Sequence, residues 1–161
     1  MKPRLYMIIP CYNEEKVLPI TSEMFLEELN LLIAKGKISE NSRILFVNDG
    51  SKDKSLEIIK GFREKDERYN YVDFSRNFGQ EIAMAAGLDY VTGDCAIFMD
   101  ADLQDSPDEI PELYRMITEE DYDLISGWKK KRYDPLSKTI PTKLFNATAR
   151  KFSGIKNLHD F

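Results

Sequence analysis

Asp100 and Asp102 stand two residues apart in the segment Met99-Asp100-Ala101-Asp102-Leu103-Gln104-Asp105, directly after a short apolar run. Two carboxylates at that spacing on a turn can face one hard cation, which takes oxygen ligands and keeps positions open for the oxygens of a diphosphate. Gln104 adds a carbonyl oxygen to the same set. Without a cation these carboxylates would repel a phosphate. An isolated Asp-x-Asp is more often a turn or a helix cap than a ligand pair, so the position of the pair at the end of a buried strand is what draws attention to it.

Three further polar segments follow apolar runs in the same way: Pro10-Cys11-Tyr12-Asn13-Glu14-Glu15, Asn48-Asp49-Gly50-Ser51 and Ser75-Arg76-Asn77. The elements that carry them alternate. Residues 5–9 read as a buried first strand closed by Pro10. From Glu14 the pattern turns helical, with Leu18, Phe25, Leu29 and Leu32 on one face until Gly36 stops it. A second strand is predicted over 43–48, a helix marked by Leu56, Ile59 and Phe62, a third strand over 71–74, a helix over 80–90 and a fourth strand over 95–99.

Ser106-Pro107-Asp108-Glu109 has the form of a capping box with proline at the first helical position, leading a helix with Ile110, Leu113 and Ile117 on its buried face. A fifth strand is predicted over 124–126 and a last helix over 141–152. Strand and helix in alternation predict an α/β fold, a mainly parallel sheet flanked by helices on both faces. Ligands of such sheets gather beyond the carboxyl ends of the strands, where all four polar segments fall.

The chain has 161 residues, enough for one domain with one core, and 42 % of them are hydrophobic. With 23 Lys+Arg against 28 Asp+Glu, the net charge of −5 excludes a general nucleic-acid binder, which needs a surplus of cations to displace counterions from phosphates. No apolar run approaches the roughly 18–20 residues that would cross a bilayer, and the opening Met1-Lys2-Pro3-Arg4-Leu5 lacks the apolar stretch of a secretion signal. Cys11 and Cys95 have no His partners at ligand spacing and read as small buried residues of a reducing, cytoplasmic setting. The apolar ending Leu158-His159-Asp160-Phe161 predicts a chain truncated at its C-terminal end.

The ordered motifs resemble the family-2 glycosyltransferases of the GT-A fold, in the branch similar to dolichol-phosphate mannosyltransferases and bacterial polyprenyl-phosphate glycosyltransferases. The residues that carry the likeness are Ile8-Ile9-Pro10-Cys11-Tyr12-Asn13-Glu14-Glu15, Phe46-Val47-Asn48-Asp49-Gly50-Ser51 with Asp53 and Ser55, Ser75-Arg76-Asn77-Phe78-Gly79, Gly93-Asp94 and the segment from Met99 to Pro107. The likeness runs from about Leu5 to Phe161, and implies a single GT-A domain over 1–161 with a Rossmann-like nucleotide-sugar-binding half.

By that resemblance Pro10, Tyr12 and Glu14 line the nucleoside pocket, Asp49 meets the base edge, and Arg76 binds a base carbonyl or a phosphate oxygen. Asp100 is implied at the ribose or the metal, Asp102 at the metal, with Gln104 beside them and Mg²⁺ or Mn²⁺ as the cofactor. Asp160 falls where the family's base stands. Lys129 and Arg132, in a basic run that would otherwise be an ordinary solvated loop, are implied at the acceptor phosphate.

The implied activity is inverting, metal-dependent transfer of a sugar from a UDP- or GDP-sugar to a polyprenyl-phosphate or saccharide acceptor, with peripheral association of the full-length protein at the inner face of the membrane. The alternative is a fragment that binds nucleotide sugar without transferring it, because the acceptor half is missing. A receiver-type signalling domain would need an acidic pair after the first strand, and Cys11-Tyr12-Asn13 offers none before Glu14.

Overall fold

A computed structural model describes residues 2–102, 106–120 and 122–127. Its strands are β1 (Leu5–Cys11), β2 (Arg43–Asn48), β3 (Tyr69–Asp73) and β4 (Cys95–Phe98), and its α-helices are α1 (Leu18–Ala34), α2 (Ser55–Lys65), α3 (Gln80–Tyr90) and α4 (Ile110–Glu119). A single 3-10 turn, Pro107–Glu109, runs into α4. The four strands are parallel in the order β3-β2-β1-β4, so the first strand in sequence lies inside the sheet.

β1 is apolar throughout because both of its faces are covered. Leu5, Met7, Ile9 and Cys11 turn to one side, where Phe25 and Leu29 of α1, Ile59 of α2 and Tyr114 of α4 join them in the larger core. Tyr6 and Ile8 turn to the other, where they meet Leu45, Val47 and Ala83 of α3. α3 approaches closely through small residues: a Cβ at Gly87 would lie 2.4 Å from Ile8 Cγ2. Pro10 is tolerated in this inner strand because its missing N–H falls on the β4 side. There the pairing already ends at Ile8↔Phe98, with Met99 N donating to Ile8 O.

β2 and α3 occupy the spans expected of them, and the mainly parallel α/β arrangement holds. β3 starts two residues earlier than expected, because Tyr69 pairs with Ile44 and buries its ring beside Phe46 and Phe62, with its hydroxyl donating to Ser22 O at 2.8 Å. The first helix starts at Leu18 instead of Glu14, whose carbonyl accepts the amides of Val17 and Leu18 in a turn.

The capping box does not form. Ser106 precedes a 3-10 turn, its side chain caps no backbone N–H, and its hydroxyl faces Asp108 Oδ2 at 3.5 Å. The fifth strand expected over 124–126 is absent: these residues lie in no strand, and Leu124 is 84 % exposed. Cys11 is buried as expected, whereas Cys95 is half-buried. Gln104, Lys129, Arg132, Asp160 and the helix expected over 141–152 lie outside the described residues.

Candidate functional site

A cleft of ≈ 330 Å³ opens beyond the carboxyl ends of β1, β2 and β4. Pro10, Tyr12 and Glu14 supply its β1 wall, and Asp49 at the end of β2 its floor. Asn77, Gly79, Gln80 and Ala83 bring in the start of α3, and Asp100 and Asp102 close the β4 side. A second hollow of ≈ 310 Å³ lies between α1 and α4 over Leu32, Pro111 and Tyr114, and none of the strand-end residues reaches it.

The loops after β1 and β2 are laced together by side chains that bond to each other's backbone. The amides of Asn13, Glu14 and Glu15 donate to Ser51 Oγ at 3.0 Å, Ser55 Oγ at 2.8 Å and Asp53 Oδ2 at 3.1 Å. In return the amides of Lys52 and Lys54 donate to Asn13 Oδ1 at 2.8 Å and Glu15 Oε2 at 3.1 Å. Asn13 takes a left-handed φ of 59°, which an Asn tolerates better than most residues, and this turns Tyr12 and Glu14 along the cleft wall.

Asp49 is 4 % exposed, and both carboxylate oxygens are engaged: Oδ1 accepts from the Phe78 amide at 2.7 Å and Oδ2 from the Gly79 amide at 2.9 Å. It therefore ties the end of β2 to the start of α3. Gly50 beside it has φ +65° and lies so close to the following loop that a Cβ would stand 2.3 Å from the Arg76 carbonyl carbon. Only glycine satisfies both demands. Arg76 itself stacks its guanidinium 4.6 Å from the centre of the Phe78 ring and is not among the described residues lining the cleft.

Negative charge accumulates in the cleft. Burial, and then the charges of Asp102 and Asp53, hold the Glu14 carboxyl above its ordinary value. Asp53 goes the other way: although burial opposes it, the hydrogen bonds from Ser55 and the Glu15 amide keep its carboxyl below the usual range. Cys11 at the base of the cleft is pushed up to about 12 by burial and by the surrounding carboxylates, so its thiol stays protonated and unreactive at neutral pH.

Among the described residues no three His, Cys, Asp or Glu side chains converge as a complete metal cage. The donor set is nevertheless one that suits a hard cation. Asp100 and Asp102 offer only oxygen, and a cation held by them would relieve the Asp102 repulsion that adds to burial in raising Glu14. Two protein carboxylates would leave coordination positions for ligand oxygens.

The structure thus gathers Pro10, Tyr12, Glu14, Asp49, Asp100 and Asp102 around one cleft, and Arg76 is not among the described residues that line it. Sequence reasoning missed Asn77 and Gln80 on the cleft wall, and the lacing roles of Asn13, Ser51, Asp53 and Ser55. The available signal was the density of Asn, Asp and Ser in both loops, residue types that bond readily to nearby backbone.

The model of the family described as glycosyl transferase family 2 matches residues 6–160. The chain is 40 % identical over 126 residues to the uncharacterized glycosyltransferase YkcC of Bacillus subtilis, covering 78 % of this chain and 37 % of that protein. It is 36 % identical over 152 residues to the undecaprenyl-phosphate 4-deoxy-4-formamido-L-arabinose transferase of Photorhabdus laumondii, covering 94 % and 45 %. The chain therefore spans less than half the length of these relatives. Among solved structures, its fold is similar to that of a Pyrobaculum calidifontis mannosyltransferase in complex with GDP-Man and Mn²⁺, with a TM-score of 0.56, 20 % identity, and coverage of 73 % of this chain and 33 % of that one.

Proposed function

The chain belongs to glycosyl transferase family 2, and from that premise we propose that it forms the nucleotide-sugar-binding portion of an inverting, divalent-metal-dependent glycosyltransferase with a polyprenyl-phosphate acceptor. The observation that carries this reading is the joining of Tyr12, Glu14 and Asp49 with Asp100 and Asp102 in one cleft at the strand ends. An apolar and aromatic wall beside acidic acceptors suits a nucleoside, whose ribose hydroxyls and ring N–H groups are donors. Asp49 faces the base edge and Glu14 the ribose.

Asp100 and Asp102, with Gln104, would hold Mg²⁺ or Mn²⁺, and that ion supplies neutralisation of the charge on the departing nucleoside diphosphate. The chain's own residues do the rest: they orient the nucleoside, keep the diphosphate against the β4 side and exclude water from the base. The polyprenyl-phosphate acceptor is supported by the named activity of the Photorhabdus relative. Lys129 and Arg132 are the cations proposed to meet its phosphate at the inner face of the membrane. Among the described residues no helix is long and apolar enough to cross a membrane.

A lipid phosphate is already anionic and needs little help from a base, whereas a hydroxyl acceptor would need Asp160 to take its proton. The test is thermal unfolding of the chain against a panel of UDP- and GDP-sugars, with Mn²⁺ and with EDTA. A ligand bound only by the folded state raises the midpoint by mass action. A rise with one nucleotide class that requires Mn²⁺ is expected. No shift with any nucleotide sugar would overturn the reading.

A further inference from the structure

We infer that Gln80 is a positioning residue for Asp100, acting from a base that Asp49 holds in place. The inference rests on the reading of Asp100 and Asp102 as the carboxylates that hold a cation. Gln80 is the first residue of α3 and lies on the cleft wall, and its side-chain Nε2 donates to Asp100 Oδ1 at 3.2 Å. Asp100 lies beyond the end of β4, whose last residue is Phe98, so the sheet ladder does not orient it. An amide reaching across from a neighbouring helix can.

The helix start that carries Gln80 is unusually well held. Gly79 just before it has φ +101°, a conformation open to glycine, and its carbonyl accepts the Ala83 amide at 3.1 Å. Its N–H and that of Phe78 both donate to the buried Asp49 carboxylate. Made to a carboxylate that is itself buried, charge-assisted hydrogen bonds of this kind are stronger than neutral ones. Asp49 at the nucleoside end is thereby joined through two backbone amides and one side chain to Asp100 at the cation end.

The residue type fits the task. A Lys or Arg at position 80 would also orient the Asp100 carboxylate, but its positive charge would compete with a divalent ion for the same group. A Gln amide fixes the plane of the carboxylate and stays neutral. Partners of this outer kind are worth about ten- to a hundredfold in metal affinity where they have been removed from other sites.

The experiment is Gln80→Met in the whole chain, which keeps length and helix preference and deletes the donor. Mn²⁺ affinity is measured by titration calorimetry in the absence of nucleotide. UDP and GDP affinities are measured separately in EDTA, and thermal unfolding verifies the fold. The expected result is Mn²⁺ affinity lowered about tenfold, with the unfolding midpoint unchanged and any change in nucleotide affinity in EDTA clearly smaller than that loss. Equal Mn²⁺ affinity in wild type and Gln80→Met overturns the inference while leaving the wider functional reading standing. A loss of the same size in the EDTA arm makes Gln80 a general wall residue and also overturns it. If the wild-type chain binds no Mn²⁺, this inference and the metal-dependent reading fall together.

Discussion

The Glu14 amide donates to Ser55 Oγ at 2.8 Å, joining two residues 41 positions apart in the chain. Ser55 is fully buried at the start of α2, so the acceptor is fixed in the core, and the Glu14 side chain is left facing the cleft. A helix on one side of the sheet thus governs where a loop residue on the cleft wall sits.

Ser55→Ala removes the acceptor and leaves the Glu14 N–H without its partner. Stranding a partly buried donor in this way costs roughly 1 kcal/mol, the low end of the ~1–3 kcal/mol for a fully buried one. Urea unfolding is expected to show a loss of that size, together with weaker nucleotide binding.

Asp102→Asn deletes one of the two charges proposed to hold the cation and keeps the side chain's shape. Asp102 is exposed, so the fold is expected to survive. Most Mn²⁺-dependent affinity for UDP or GDP is expected to disappear, as read by titration with and without the metal. Equal Mn²⁺-dependent binding by wild type and variant would remove Asp102 from the metal site.

Asp49→Ala acts differently, because the Asp49 carboxylate accepts from Phe78 and Gly79 and lines the cleft where the nucleoside is proposed to sit. Nucleotide affinity is expected to fall in EDTA as well as in Mn²⁺, and the unfolding midpoint to fall with it. A loss confined to the Mn²⁺ arm would move Asp49 into the metal shell.

The pH dependence of stability is expected to carry the mark of Asp66. Its carboxyl is held below the ordinary 3.8 chiefly by the hydrogen bond from Arg68, a half-buried pair with an Nη2 to Oδ2 distance of 2.5 Å. A folded-state value below the unfolded one means that the contribution is present above about pH 4 and is lost as the pH falls through the lower value. The stability gap between wild type and Asp66→Asn, from urea unfolding at several pH values, is therefore expected to be widest near neutrality, to begin narrowing near pH 4 (roughly) and to close as the pH falls through the lower folded-state value.

β1 and β2 were legible because burial on both faces leaves a plain signal. Residues 43–48 are apolar after the first and end in Asn48, and the structure stops the strand there. Pro10, Tyr12, Glu14, Asp49, Asp100 and Asp102 were legible for the same reason, since each closes or follows such a run, whereas Gln80 and Ala83 reach the cleft from α3. What could not be read was which side chains are consumed in lacing loops. Asp53 looks like one more acidic candidate until its bond to the Glu15 amide is seen, and that partner is 38 positions away. Tyr69 is hard to read as a strand start, since its neighbours Arg68 and Asn70 are polar, and only its pairing with Ile44 reveals it. Leu124 shows the converse: an apolar residue in a strand-like triplet that ends 84 % exposed.

The inner position of β1 bears on how the chain emerges from the ribosome. Its apolar segment is synthesised before either partner strand, since its neighbour β2 begins only at Arg43 and its other neighbour β4 only at Cys95. Until then the nascent chain carries a run of Leu5, Tyr6, Met7, Ile8 and Ile9 with no sheet to enter, a segment rich in strand-forming residues and free of charge. Lys2, Pro3 and Arg4 on one side and Pro10 on the other bracket that run, and charges and prolines in such places hinder pairing with a second copy. The brackets guard the strand during the interval in which translation has made it and folding cannot yet use it.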